Sequence, residues 1–123
     1  MMGWWIVIAQ QSPEERDANP DKKSAVIASW ESSLGGLDWL DQLATRGKAV
    51  QLTTGGYPTR YAAFARDLLP LIVDGPPKHD DMPIIGDDYV MSSGWSGNIK
   101  IDQEKIAACP REQIMTIDAW DLD

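Results

Sequence analysis

Four carboxylates and the chain's one histidine lie close together, as His79-Asp80-Asp81 and then Asp87-Asp88. Hard cations want several oxygens, and a transition metal would accept the imidazole. The spacing fits neither need. A calcium loop alternates its ligands around a central glycine and ends on glutamate, and zinc requires further His or Cys that this chain lacks. The cluster therefore reads as a solvated, acidic loop, and no metal or cofactor is expected. Cys109 is the only thiol and His79 the only imidazole, so a Cys/His hydrolase would have to use that pair. Ala107-Ala108 before the thiol and Pro110 after it mark a packed position at a helix end instead. Asp118 and Asp121 serve as acid and base only where their surroundings push their pKa values apart, which spacing does not supply. A last candidate is Thr53-Thr54-Gly55-Gly56, read as the turn between a strand and a helix that begins near Pro58. Glycines there would bring backbone N–H groups to an anion at the helix N-terminus, with Arg60 adding charge. Any tight strand-to-helix turn needs the same residues, and neither a Walker pattern nor GxGxxG accompanies them. The expectation is a protein without catalytic residues, with a small metal- or phosphate-dependent enzyme as one alternative.

Acid is distributed unevenly along the chain, and this asymmetry points to a partner. Met1–Val73 carry 8 Asp/Glu against 7 Lys/Arg, whereas Asp74–Asp123 carry 11 against 4, for a net charge of −8. Tyr89, Trp95 and Trp120 stand among the late carboxylates. A negative field speeds encounter with a basic partner, and aromatic anchors then hold the complex. Nine of the late acids are aspartates, whose short side chains lose less entropy on being fixed than glutamates do. The expected contact residues are Asp80, Asp81, Asp87, Asp88 and Trp95, with Trp120 and Asp121 as a second set. The profile suits a small acidic immunity or inhibitor protein that neutralises a basic bacterial toxin, such as a nuclease, by occluding its active site. Its carboxylates would take the place of substrate phosphates on the toxin's Lys and Arg side chains. A nucleic-acid-mimicking inhibitor of a DNA- or RNA-binding protein is the alternative with the same chemistry. Direct binding to nucleic acid or to an anionic membrane is disfavoured by the sign of the charge.

The elements that must position these residues begin with Trp4–Gln10, continuously apolar and therefore expected as a central strand covered on both faces. Ser12–Pro20 is polar and bracketed by prolines, a surface loop with room for one helical turn. Helices are expected over Lys22–Leu34, with Asp21 as N-cap and Val26, Ile27, Trp30 and Leu34 at helical spacing, and over Leu37–Thr45. Lys48–Thr53 reads as a short strand. The third helix carries Tyr61, Phe64, Leu68 and Ile72 at helical spacing, and Pro70 marks where it kinks or finishes. Tyr89–Met91 and Asn98–Asp102 read as a hairpin with Trp95 at its tip. Glu104–Cys109 allows a short helix, and Gln113–Trp120 alternates as a strand does.

A chain of 123 residues is one domain's length and buries roughly two thirds of its unfolded surface. The fold class expected is α+β (or α/β), a single domain over 1–123 with one mixed sheet of about four to five strands packed with about three helices. Six tryptophans stand against one phenylalanine, and Trp4, Trp5 and Trp30 are expected in the core because of their ring size. A lone cysteine excludes an intramolecular disulfide and fits a reducing compartment. The apolar run near the start is too short for a membrane span and lacks the basic region of a signal peptide, so a cytoplasmic protein is expected.

Overall fold

The apolar run at the start of the chain forms the middle of a sheet. β1 (Gly3–Ala9) lies between β8 (Ile114–Leu122) and β2 (Val26–Ser32). With β3 (Ala49–Thr53), β4 (Thr59–Phe64) and β7 (Ser96–Ile101), the order is β3-β4-β8-β1-β2-β7. The computed structural model describes residues 3–21, 23–53, 58–77, 84–85, 90–91 and 96–122. Every pairing in the sheet is antiparallel. The class is therefore α+β, and the expected mixed sheet and the α/β alternative both fall, because a parallel pair would need a crossover connection. The described sheet has six strands rather than four to five. Helices α1 (Pro13–Ala18), α2 (Asp38–Thr45), α3 (Ala65–Ile72) and α4 (Gln103–Ala108) are joined by a 3-10 turn at Leu34–Leu37. A separate ribbon pairs β5 (Ile84–Ile85) with β6 (Val90–Met91). None of the described helices is long and apolar enough to cross a membrane.

Residues opposite one another on paired strands share a face of the sheet. Tyr61, Ile117, Ile8 and Ala28 form one such row, and Thr59, Ala119, Ile6 and Trp30 form the next. Both rows are buried, and they make one apolar cluster with Leu40 and Leu43 of α2 and Leu68 and Ile72 of α3. Trp30 and Trp39 meet there with ring centroids 6.1 Å apart and planes tilted by 32°. The other face is crossed by α1, which a capping box closes: Ser12 Oγ accepts from Glu15 N, and Glu15 Oε1 accepts from Ser12 N. Thr116 Oγ1 donates to Gln11 O at 2.8 Å and fastens the start of this segment to β8.

Three expectations about local structure are corrected. The segment expected as a helix over Lys22–Leu34 is β2, followed by the 3-10 turn. Val26, Ile27 and Trp30 match a helical spacing, but pairing with β1 on one side and β7 on the other decides the conformation. Asp21 does accept from local backbone groups, with Oδ1 3.0 Å from Lys23 N and 3.1 Å from Ser24 N. It closes a turn rather than capping a helix. Secondly, the helix expected from Pro58 is two elements. Thr59, Tyr61 and Ala63 are buried at a period of two in β4, and the helical spacing of Leu68 and Ile72 belongs to α3, which runs two residues beyond Pro70. Thirdly, β6 and β7 do not form a hairpin, since β6 pairs with β5 and β7 with β2. Trp95 lies outside the described residues.

Tyr61 is buried in the helix-covered layer, and its hydroxyl donates to Asp41 Oδ1 at 2.7 Å. Burial first, and then the hydrogen bond and charge of Asp41, push the phenol pKa up. The folded chain thus holds this proton more tightly than the unfolded chain does. The resulting stability is complete below the unfolded-state value of about 10 and declines as pH rises above it. Tyr61→Phe is expected to lose about 1 kcal/mol at neutral pH and to flatten the alkaline decline. Urea unfolding from pH 8 to pH 11 reads both effects, and an equally steep decline in the variant would reject the assignment.

Candidate functional site

The face of the sheet opposite the helical layer holds most of the exposed apolar side chains. Trp5, Ile99, Val50, Leu52, Phe64 and Ile114 are exposed on the strands, whereas Leu71 is on α3. Trp5 and Trp120 are direct cross-strand partners on β1 and β8, and Glu31 lies opposite Trp5 on its other side. The adjacent row runs Arg60, Asp118, Val7, Ser29 and Lys100. These two rows floor a groove of about 1270 Å³, closed at one end by Arg16 and Asp17 of α1. Ile99 enters the groove wall beside a register shift in β7, where Asn98 takes a φ of 47°. A bulge re-aims side chains in this way. Asn98 Nδ2 donates to Glu31 Oε1 at 3.0 Å, across the same irregularity.

At the closed end, Asp118 is only 2% exposed. Arg60 Nε donates to its Oδ1 at 2.6 Å and Arg60 Nη2 to its Oδ2 at 3.2 Å, while Arg16 Nε reaches Oδ2 at 3.4 Å. Arg60 Nη1 also donates to Asp17 Oδ1 at 2.8 Å. The Asp118 hydrogen bonds raise the pKa of Arg60 and hold its proton. Both oxygens of the buried carboxylate accept from guanidinium groups, so Asp118 is a clamp joining α1, β4 and β8. General acid–base work needs a group within reach of substrate. Two arginines and two aspartates cancel in charge, leaving Glu31, Asp102 and Glu104 against Lys23 and Lys100 around the groove. The groove is thus close to neutral.

The expected site residues separate on this frame. Trp120 lies on the groove floor, but Asp121 points to the opposite face beside Trp4, as strand alternation requires. Its Oδ1 is buried with no partner among the described residues. Asp118 and Asp121 therefore face opposite sides of the sheet and cannot share acid and base roles. Asp80, Asp81, Asp87, Asp88, Trp95 and His79 lie outside the described residues, as do Gly55 and Gly56. No helix begins at Pro58, since β4 starts at the next residue, Thr59, and Arg60 is engaged with two carboxylates, so the expected anion site lacks its helix and its cation. Among the described residues, no group of three His, Cys, Asp or Glu is placed to hold a metal. Cys109 caps α4 with Sγ 3.8 Å from Met115 Sδ, and burial pushes its thiol pKa up. Trp5, expected in the core, is 45% exposed. Trp5, Arg16 and Ile99 are groove residues that the sequence reading missed; alternation along β1 and β8 was the available signal for Trp5.

Comparisons with family models, curated proteins and solved structures return no match.

Removing the carboxylate from the clamp leaves two guanidinium groups facing each other at a buried site. Asp118→Asn is expected to cost about 3–5 kcal/mol. Asp17→Asn, at the exposed end of the cluster, should cost about 1 kcal/mol or less. Urea unfolding of the two variants checks this, and equal losses would contradict the clamp.

Proposed function

We propose that this chain is a small acidic inhibitor of the immunity type, which captures a basic protein and occludes its working surface with the open face of the sheet. The observation that carries the reading is the concentration of exposed apolar side chains on one face, with Trp5 and Trp120 adjacent at the groove floor. Large aromatic anchors in a groove are the usual source of binding energy in protein complexes. The net charge of −8 supplies attraction toward a basic partner at long range. Because the groove is nearly neutral, the field belongs to the whole chain, and Asp80, Asp81, Asp87 and Asp88 are proposed to concentrate it. The proposed setting is the cytoplasm, where a lone thiol stays reduced. A basic nuclease toxin is the partner best matched to this chemistry, since carboxylates can occupy the side chains that otherwise hold phosphates.

Trp5→Ala with Trp120→Ala, and separately Asp80→Lys, Asp81→Lys, Asp87→Lys and Asp88→Lys together, test the two halves of this reading. Tagged protein is incubated with host lysate at low salt, and the retained proteins are identified. The wild type is expected to retain a basic toxic protein. The tryptophan pair should speed its dissociation by about 100-fold or more, whereas charge reversal should slow association and reduce its salt dependence. Retention of a housekeeping DNA- or RNA-binding protein would favour the nucleic-acid mimic. Retention unaffected by either variant would reject the surface assignment.

A further inference from the structure

We propose that Trp5 and Glu31 form a seat for an arginine side chain of the basic partner. This seat belongs to the open face, rests on the reading proposed above for that face, and fixes which cationic group the partner presents.

Strand register builds the seat. On the open face Trp120, Trp5, Glu31 and Gly97 follow one another across β8, β1, β2 and β7 as direct cross-strand partners. The Cβ atoms of direct partners lie about 4.5–5.5 Å apart. A carboxylate therefore stands beside an indole that is 45% exposed. Gly97 has no side chain, so it places no bulk beside Glu31 on the far side of the row. Glu31 is half-buried, and Asn98 Nδ2 donates to its Oε1 at 3.0 Å, which orients the carboxylate. That bond occupies one of the roughly four acceptor positions an ionised carboxylate offers. The ion pairs among the described residues join Arg16 and Arg60 to Asp17 and Asp118, and none of them includes Glu31. Lys100, the cation of the adjoining row, lies opposite Ser29.

An aromatic face and a carboxylate at this spacing suit a cation that engages both at once. Guanidinium is planar, so its face can lie on the indole while the N–H donors at its edge reach the carboxylate. An ammonium is a compact, strongly hydrated point charge and lacks that planar fork. The chain uses both contacts elsewhere: the Arg66 guanidinium lies 4.4 Å from the centre of the Phe64 ring, and Arg60 donates to both oxygens of Asp118. Trp5 and Glu31 present the two receiving groups side by side. Trp120 extends the floor for the apolar stem of the incoming side chain, and the net charge of −8 favours delivery of a cation.

The probe is a tripeptide of glycine, arginine and glycine, blocked at both ends and titrated into the isotope-labelled full chain while its amide and indole N–H signals are followed. A second peptide carries citrulline, which has the shape of arginine without its charge, and a third carries lysine. The arginine peptide is expected to bind about fivefold or more tightly than the citrulline peptide, with lysine between them and the differences shrinking in salt. The Trp5 indole and Glu31 amide signals should shift together and saturate. Glu31→Gln keeps an oxygen for Asn98 but removes the charge, and should lower arginine affinity to the citrulline level. Trp5→Ala should abolish saturable binding, and thermal melting verifies that both variants are folded. Equal affinity for arginine and citrulline, an arginine affinity unchanged in Glu31→Gln, or shifts that bypass Trp5 and Glu31 would overturn the proposal. Capture of a basic protein separates it from the groove reading. If Trp5→Ala with Trp120→Ala releases that protein while Glu31→Gln retains it as the wild type does, the groove reading stands and the arginine seat falls.

Discussion

The middle of the sheet depends on residues from the two ends of the sequence. β1 pairs with β8 from Gly3↔Leu122 to Ala9↔Thr116, so the central strand has its second neighbour only once the last strand is in place. Closing that distance costs chain entropy before any contact is gained, and sheets with such distant pairings fold more slowly than locally connected ones. β2 is the nearer partner, and the pairing Trp4↔Ser32 to Ala9↔Val26 can form first as a long-looped hairpin. Gly3 marks how closely the backbones approach at this junction: a Cβ there would lie 2.0 Å from Ser32 O, and its φ of 154° is one that side-chain-bearing residues rarely adopt. The pairing of β1 fixes which side chains of three strands share a face.

From that pairing the two faces acquire different roles. Ile6 and Ile8 turn toward the helices, while Trp5 and Val7 turn away from them. α1 is short, and its own hydrogen bonds are too few to hold it on the sheet. Arg16 and the Thr116–Gln11 bond locate it, with Arg60 bracing Asp118 from the neighbouring strand. A buried ionic cluster is a weak source of net stability, because desolvation offsets attraction. Its effect here is positional. α1 is held to one end of the open face, which leaves Trp5 and Trp120 uncovered.

Elements with one dominant period were legible in the sequence. The continuous run of β1 and the alternation of β8 gave their strands, and the Leu37–Thr45 pattern gave α2 to within one residue. β2 and β4 were not legible, because Val26-Ile27-Trp30 and Tyr61-Phe64 satisfy a helical spacing as readily as a strand, and only their partners distinguish the two. The same ambiguity hid the site. Once β4 is a strand, Arg60 falls opposite Asp118 and the clamp follows, whereas a helix there had suggested an anion site. Ring size places Trp5 in the core, and the unbroken apolar run of β1 does not contradict it. A run of apolar residues records that both sides are apolar, and it does not record whether a layer of helices lies over each.

The clamp also determines what the groove can tolerate being covered by. Covering a carboxylate that water had been solvating is costly unless the partner replaces every hydrogen bond. Asp118 already has its donors in place, and Arg60 spans from it to Asp17. A partner seated on Trp5, Trp120 and Ile99 would therefore cover charge whose bonds are internal to the chain. The unclamped charges, Glu31, Lys23, Lys100, Asp102 and Glu104, are not fully buried and stand around that centre. An apolar middle with paired charge beneath it and solvated charge around it is the arrangement in which burial contributes most to affinity and desolvation opposes it least. On the proposed reading, the acidic field of the chain would govern how fast a basic partner arrives, and the tryptophan floor how long it stays.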